Sequence, residues 1–158
     1  MPPESEVQLH TAVCDYIRIK HKEVIFRTDH AAGMKLSKAQ AVRHSRLQQS
    51  RAYPDLFIAE PRAGYHGLFI EIKRENTTIF KQNGELVANQ HIKEQAFMLQ
   101  KLIAKGYLAT FGVGFDHIVQ IIDEYLGLPA PSYQHPEFTI PLPKPKKTSK
   151  TKSGGELF

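Results

Sequence analysis

Cysteine is almost missing: Cys14 is the one thiol in 158 residues, so neither a disulfide framework nor a cysteine-based zinc site can be assembled. Long apolar runs are missing as well. No stretch approaches the roughly 18 consecutive apolar residues that a membrane helix needs. The opening MPPESEVQ has neither the basic start nor the greasy core of a secretory signal. No internal repeat is visible. What is present is ordinary globular composition, 41% apolar, 23% charged and 9% aromatic, which excludes collagen-like repetition, coiled coil and disorder throughout. The expectation is a soluble intracellular domain without membrane contact.

Charge is nearly balanced outside the C-terminal stretch. The chain carries 21 Lys and Arg against 16 Asp and Glu, a net +5. Five lysines and two glutamates fall in 129–158, which leaves residues 1–128 at +2. Net charge is therefore a weak argument for nucleic acid, and distribution says more. From 32 to 52 there are Lys35, Lys38, Arg43, Arg46 and Arg51 and no acid. Such a run serves equally as a solvated face or as a phosphate-binding one.

Residues 129–158 hold six of the ten prolines and then KPKKTSKTKSGG. That composition buries too little apolar surface to order itself and reads as a tail. Residues 1–128 suffice for one core, since a domain of this size buries roughly two-thirds of its unfolded surface.

In 5–20, Leu9, Ala12, Val13, Tyr16 and Ile17 recur at helical spacing, which predicts an amphipathic helix. Residues 23–28 (EVIFRT) read as a short strand. Ser37 is an N-cap for a second helix over 37–49, stopped by Tyr53-Pro54 because the residue before proline disfavours helical angles. Residues 55–59 (DLFIA) and 67–73 (GLFIEIK) read as the arms of an antiparallel hairpin, their link containing Pro61 and Gly64. A helix over 90–105 uses Ile92, Ala96, Leu99 and Ile103 and ends at Gly106. A strand over 107–115 and a helix over 116–126, capped by Asp116, complete the body. The order α-β-α-β-β-α-β-α predicts an α/β fold, a mixed sheet flanked by helices.

The chemistry concentrates on the hairpin. Period-two alternation puts Phe69, Glu71 and Lys73 on one face of the strand and Leu68, Ile70 and Ile72 on the other. If residues near 60 and 67 pair, position 55 lands opposite 71 to 73, so Asp55, Glu71 and Lys73 converge. Two close carboxylates repel unless something positive lies between them. Mg²⁺ suits such a pair, because it prefers oxygen and keeps several waters. It also polarises a phosphodiester and activates water, while a lysine offsets charge developing at phosphorus. The competing reading is a solvated ion pair of little worth at a strand end. Glu6, three residues before Leu9, and Gln95, four before Leu99, fall on the apolar sides of their helices. Inward polar groups need partners, although Glu6 also serves as a first-turn acid against the helix dipole.

Pro54-Asp55 followed by Glu71-Ile72-Lys73 resembles the PD-(D/E)xK nuclease motif, and the later helix with Gln95 resembles the VRR-NUC branch of that superfamily. The resemblance spans residues 4–126. It implies a restriction-endonuclease-like core and a Mg²⁺-dependent endonuclease in which Mn²⁺ substitutes. Asp55, Glu71 and the Ile72 carbonyl are then metal ligands, and Glu6 binds the metal directly or through water. Lys73 is the catalytic lysine, and Gln95 orients that lysine or the water. Stand-alone members resemble dimers that cut four-way (Holliday) DNA junctions, and fused members process flaps in repair. Ala52 stands where members often carry glycine, and residues 74–89 form a long connector. Both departures bear on loop geometry and substrate choice.

Given a DNA substrate, Lys35, Lys38, Arg43, Arg46 and Arg51 become candidate phosphate contacts. Two cuts placed symmetrically on a junction need two active sites and hence a homodimer. Glu156-Leu157-Phe158 faintly resembles peptides that dock on sliding clamps, without their leading glutamine. Competing readings are a non-catalytic DNA-binding module of the same architecture, a flap nuclease, or a restriction-type nuclease, for which this length leaves little room. The eight histidines show no metal-ligand spacing and read mostly as surface residues, with His30 the one to watch for substrate contact. Cys14 reads as a packing residue. Gly112 and Gly114 read as sites of close backbone approach.

Overall fold

A computed structural model describes residues 5–29, 37–47 and 50–132. Its elements are α1 (Glu6–Lys20), β1 (Phe26–Thr28), α2 (Lys38–Leu47), β2 (Leu56–Ile58), β3 (Leu68–Lys73), α3 (Gln90–Ala104), β4 (Leu108–Val113) and α4 (Phe115–Leu126). The expected order is the observed one. The four strands form one sheet in the order β1-β2-β3-β4. β1 and β3 run antiparallel to β2, and β4 runs parallel to β3. The parallel step requires a crossover, which α3 provides.

Strand alternation feeds two cores. On one face Leu56, Ile58, Leu68, Ile70 and Ile72 pack against Leu9, Val13 and Ile17 of α1 and Ile118, Ile122 and Tyr125 of α4. On the other, Phe69, Ala109 and Phe111 pack against Ile92, Ala96, Leu99 and Leu102 of α3. Phe57 and Phe69, cross-strand partners, stack with centroids 4.4 Å apart. Asp123 of α4 ties the C-terminal end of α1 down, accepting from the Tyr16 hydroxyl at 2.7 Å and meeting His21 Nε2 at 2.8 Å.

Ser37 Oγ accepts from the Gln40 amide at 3.3 Å, as expected of Ser37, and Ser5 caps α1 in a reciprocal box with Gln8. Several expectations need correction. Asp116 does not cap α4: the helix begins one residue earlier, from Gly114 at φ +73, with no side-chain cap. Ile103 is 53% exposed and Leu102 takes the core position, because the buried stripe of α3 turns with the helix. The connector 74–89 folds back at Gly84 (φ +82), pairs Phe80 with Leu86 and sends Ile79 into the second core. Every residue of α2 whose burial is described is exposed, so this helix has no core face. Gly112 does mark close packing, since a Cβ there would lie 2.6 Å from Ile118 Cγ1 and 2.9 Å from Ile70 Cγ2. Residues 129–132 are exposed; the rest of the expected tail, with Glu156-Leu157-Phe158, lies outside the described residues. No helix among the described residues is long and apolar enough to cross a membrane.

Candidate active site

The hairpin register sets the site. Leu56 faces Ile70 and Ile58 faces Leu68, so Asp55, one residue before β2, lies across from Glu71. The turn between the strands closes through Ala63 (φ +46) and Gly64 (φ +88), with Arg62 bridged to Tyr65; two positive angles in succession make the tight reversal that matches strand twist. On the outer side the Asp29 amide donates to the Asp55 carbonyl at 2.8 Å, extending the β1–β2 pairing to the site.

Asp55 Oδ2 accepts from the Ile72 amide at 2.9 Å. That bond fixes the carboxylate and shows which way the peptide units of β3 point. The Gly114 amide donates to the Lys73 carbonyl on the β4 side. Since alternate carbonyls of a strand point to opposite sides, the Ile72 carbonyl leaves β3 on the side of Asp55. Glu71, 2% exposed, lies close enough to Asp55 to feel its negative charge. Its Oε1 accepts from Lys73 Nζ at 2.9 Å and from Gln95 Nε2 of α3. Four of the expected residues, Asp55, Glu71, Lys73 and Gln95, thus meet at one end of the sheet.

Electrostatics at the site are those of a buried acid pair. Burial raises the Asp55 carboxyl, opposed by the charge of His10, the Ile72 amide and Lys73. Burial, and after it the negative charge of Asp55, pushes Glu71 up to about 8, against the pull of Lys73. Both carboxyls are thus pushed toward the protonated form when nothing else neutralises the pair, Glu71 the more strongly.

Other expected residues lie elsewhere. Glu6 is exposed at the first position of α1, so it is the dipole-facing acid rather than an inward group. The buried polar residue of that helix is His10, 8% exposed, whose Nε2 has no hydrogen-bond partner. The reading of the histidines as surface residues missed it, although position 10 lies four residues before Cys14 on the stripe that α1 buries. Gln95 also departs from expectation: its amide nitrogen serves Glu71 and, at 3.0 Å, His91 Nε2, while its buried Oε1 is unpartnered. Lys38, Arg43, Arg46 and Arg51 are exposed; Lys35 and His30 lie outside the described residues.

The donor set fits a hard divalent cation. Two carboxylates whose ionised forms burial opposes and a peptide carbonyl beside them are all oxygen donors. Among the described residues no group of three or more His, Cys, Asp and Glu is placed to hold a metal. A two-carboxylate site is what Mg²⁺ accepts, since it retains several waters.

Neither a scan of protein-family models nor a search of curated proteins finds a match to this chain. A solved structure described as a VRR_NUC domain protein superposes with a TM-score of 0.57 at 23% identity, over 82% of this chain and 94% of its own. The likeness is one of fold. The mixed four-stranded sheet with helices on both faces is shared with a VRR_NUC domain.

Proposed function

We propose that this chain is a metal-dependent DNA endonuclease of VRR-NUC type, acting as a homodimer on branched DNA such as four-way junctions. The observation that carries the reading is the meeting of Asp55, Glu71, Lys73 and Gln95 at one sheet end. The nuclease-like fold supports it independently.

Asp55, Glu71 and the Ile72 carbonyl would hold Mg²⁺, for which Mn²⁺ would substitute, and Glu6, exposed on α1, would contribute through water. A bound divalent cation supplies polarisation of a phosphodiester oxygen and favours ionisation of water. The protein's own groups do the rest. The Ile72 amide holds the Asp55 carboxylate in one orientation, and Gln95 Nε2 does the same for Glu71, so the acids need not reorganise during reaction. Lys73 leaves Glu71 for the scissile phosphate as negative charge builds there. Lys38, Arg43, Arg46 and Arg51, with Lys35, bind flanking phosphates without reading sequence. Intracellular DNA repair is the setting this chemistry suits, and clamp docking by Glu156-Leu157-Phe158 is a separate attachment.

A cleavage panel of single strand, flap, nicked duplex and four-way junction, with Mg²⁺ or with EDTA, tests the reading. The expected result is Mg²⁺-dependent cutting of the junction, lost in Asp55→Ala and in Lys73→Ala while circular dichroism is unchanged. Cutting by either variant at the wild-type rate overturns it, as does DNA binding that persists in EDTA with no cleavage of any substrate.

A further inference from the structure

Gln95 has two amide hydrogens and two acceptors in reach. One is Glu71 Oε1; the other is His91 Nε2, one helical turn earlier at 3.0 Å. With both acceptors on the nitrogen side, Oε1 is turned away from them, buried and without a partner. Flipping the amide would set its oxygen against Glu71 Oε1 and, in the tautomer that presents Nε2 as an acceptor, against His91 as well. His91 is exposed, yet it is one of the two groups that determine which end of a buried amide faces Glu71. Its ring must present Nε2 as the lone-pair nitrogen to do so.

We propose that His91 is a positioning residue of the active site: by accepting from Gln95 it fixes the amide so that nitrogen grips Glu71 and oxygen stays free to receive a hydrogen from the attacking water or from Lys73. This rests on the nuclease reading for its kinetic consequence, but the amide geometry stands apart from it. The side chain at 91 takes no part in the cap of α3. Asn89 caps α3 through the backbone amide of His91 at 2.9 Å, which any residue supplies.

Three variants separate the possibilities. His91→Lys offers donors only and sets the amide against its present orientation. His91→Gln restores an acceptor, and Gln95→Ala removes the amide. In the ¹⁵N–¹H spectrum the Gln95 side-chain NH₂ pair is assigned by its loss in Gln95→Ala. It shifts in His91→Lys and returns close to its wild-type position in His91→Gln. In cleavage assays His91→Lys lowers kcat about 10-fold with KM unchanged, in the range for groups that orient a site from behind. His91→Gln recovers most of that, and Gln95→Ala/His91→Lys is no slower than Gln95→Ala. A Gln95 resonance that does not move in His91→Lys overturns the proposal whether or not the chain cuts DNA. So does an additive double variant. If the resonance responds as expected while no variant and no wild type cleaves, the positioning role stands and the nuclease reading fails.

Discussion

Glu71→Gln separates what this carboxyl costs the fold from what it does for a cation. In the cation-free protein, burial and the charge of Asp55 hold Glu71 at about 8 against an ordinary 4.5. Between those values the folded chain keeps a proton that the unfolded chain has lost. Stability is therefore fullest below the ordinary value, declines as pH rises and levels off above about 8. At about 1.4 kcal/mol per tenfold the whole decline is about 5 kcal/mol, a large part of a typical domain's margin. About 3 kcal/mol of it falls between roughly pH 5.5 and pH 8.5. Urea unfolding in EDTA reads this as a drop of about 1–3 M in midpoint for wild type. Gln at position 71 keeps the shape and does not titrate, so its midpoint declines less by about that amount, while groups remote from Glu71 contribute equally to both proteins. Saturating Mg²⁺ or Mn²⁺ at the higher pH restores wild type by mass action and leaves the variant unmoved. Parallel midpoint-versus-pH curves for the two proteins would refute the buried-pair account.

Other consequences are open to simpler assays. Gly112→Ala places a methyl 2.6 Å from Ile118 and 2.9 Å from Ile70, an overpacking expected to cost about 1–3 kcal/mol; an unchanged melting temperature would show that the β4–α4 contact is looser than described. Lys38→Ala/Arg43→Ala/Arg46→Ala should weaken junction binding and flatten its log–log salt dependence by about two to three, whereas an unaltered slope would remove α2 from the DNA contact.

The hairpin was the most legible part of the chain because two rules act on it together. Period-two alternation assigned Glu71 and Lys73 to one face, and antiparallel pairing carried Asp55 opposite them, so convergence followed from sequence position. Helix α1, the Ser37 cap and the role of Gly112 follow from similarly local rules. Legibility failed where neighbours distant in sequence decide. Glu6 and His10 lie one turn apart on α1, yet Glu6 is exposed and His10 buried, a difference that helical spacing alone does not give. Gln95 falls on the apolar side of α3 by spacing alone, but that its nitrogen would go to Glu71 and His91 rather than to Lys73 depends on the tilt of α3 over β3. At α4 the expected acidic cap gave way to Gly114, whose positive φ turns the chain straight from β4 into the helix. The fold-back of 74–89 is set by Ile79 finding room beside α3.

The central claim is that Asp55 and Glu71 jointly grip a divalent cation. Mn²⁺ titration followed by electron paramagnetic resonance measures this without any DNA, since the free-ion signal falls as the protein takes the ion up. Wild type at about pH 8 should bind Mn²⁺ and release it to excess Mg²⁺, and Asp55→Asn, which keeps an acceptor for the Ile72 amide, should bind far more weakly with an unaltered fold. Equal uptake by the two proteins, or none by wild type, would contradict the account.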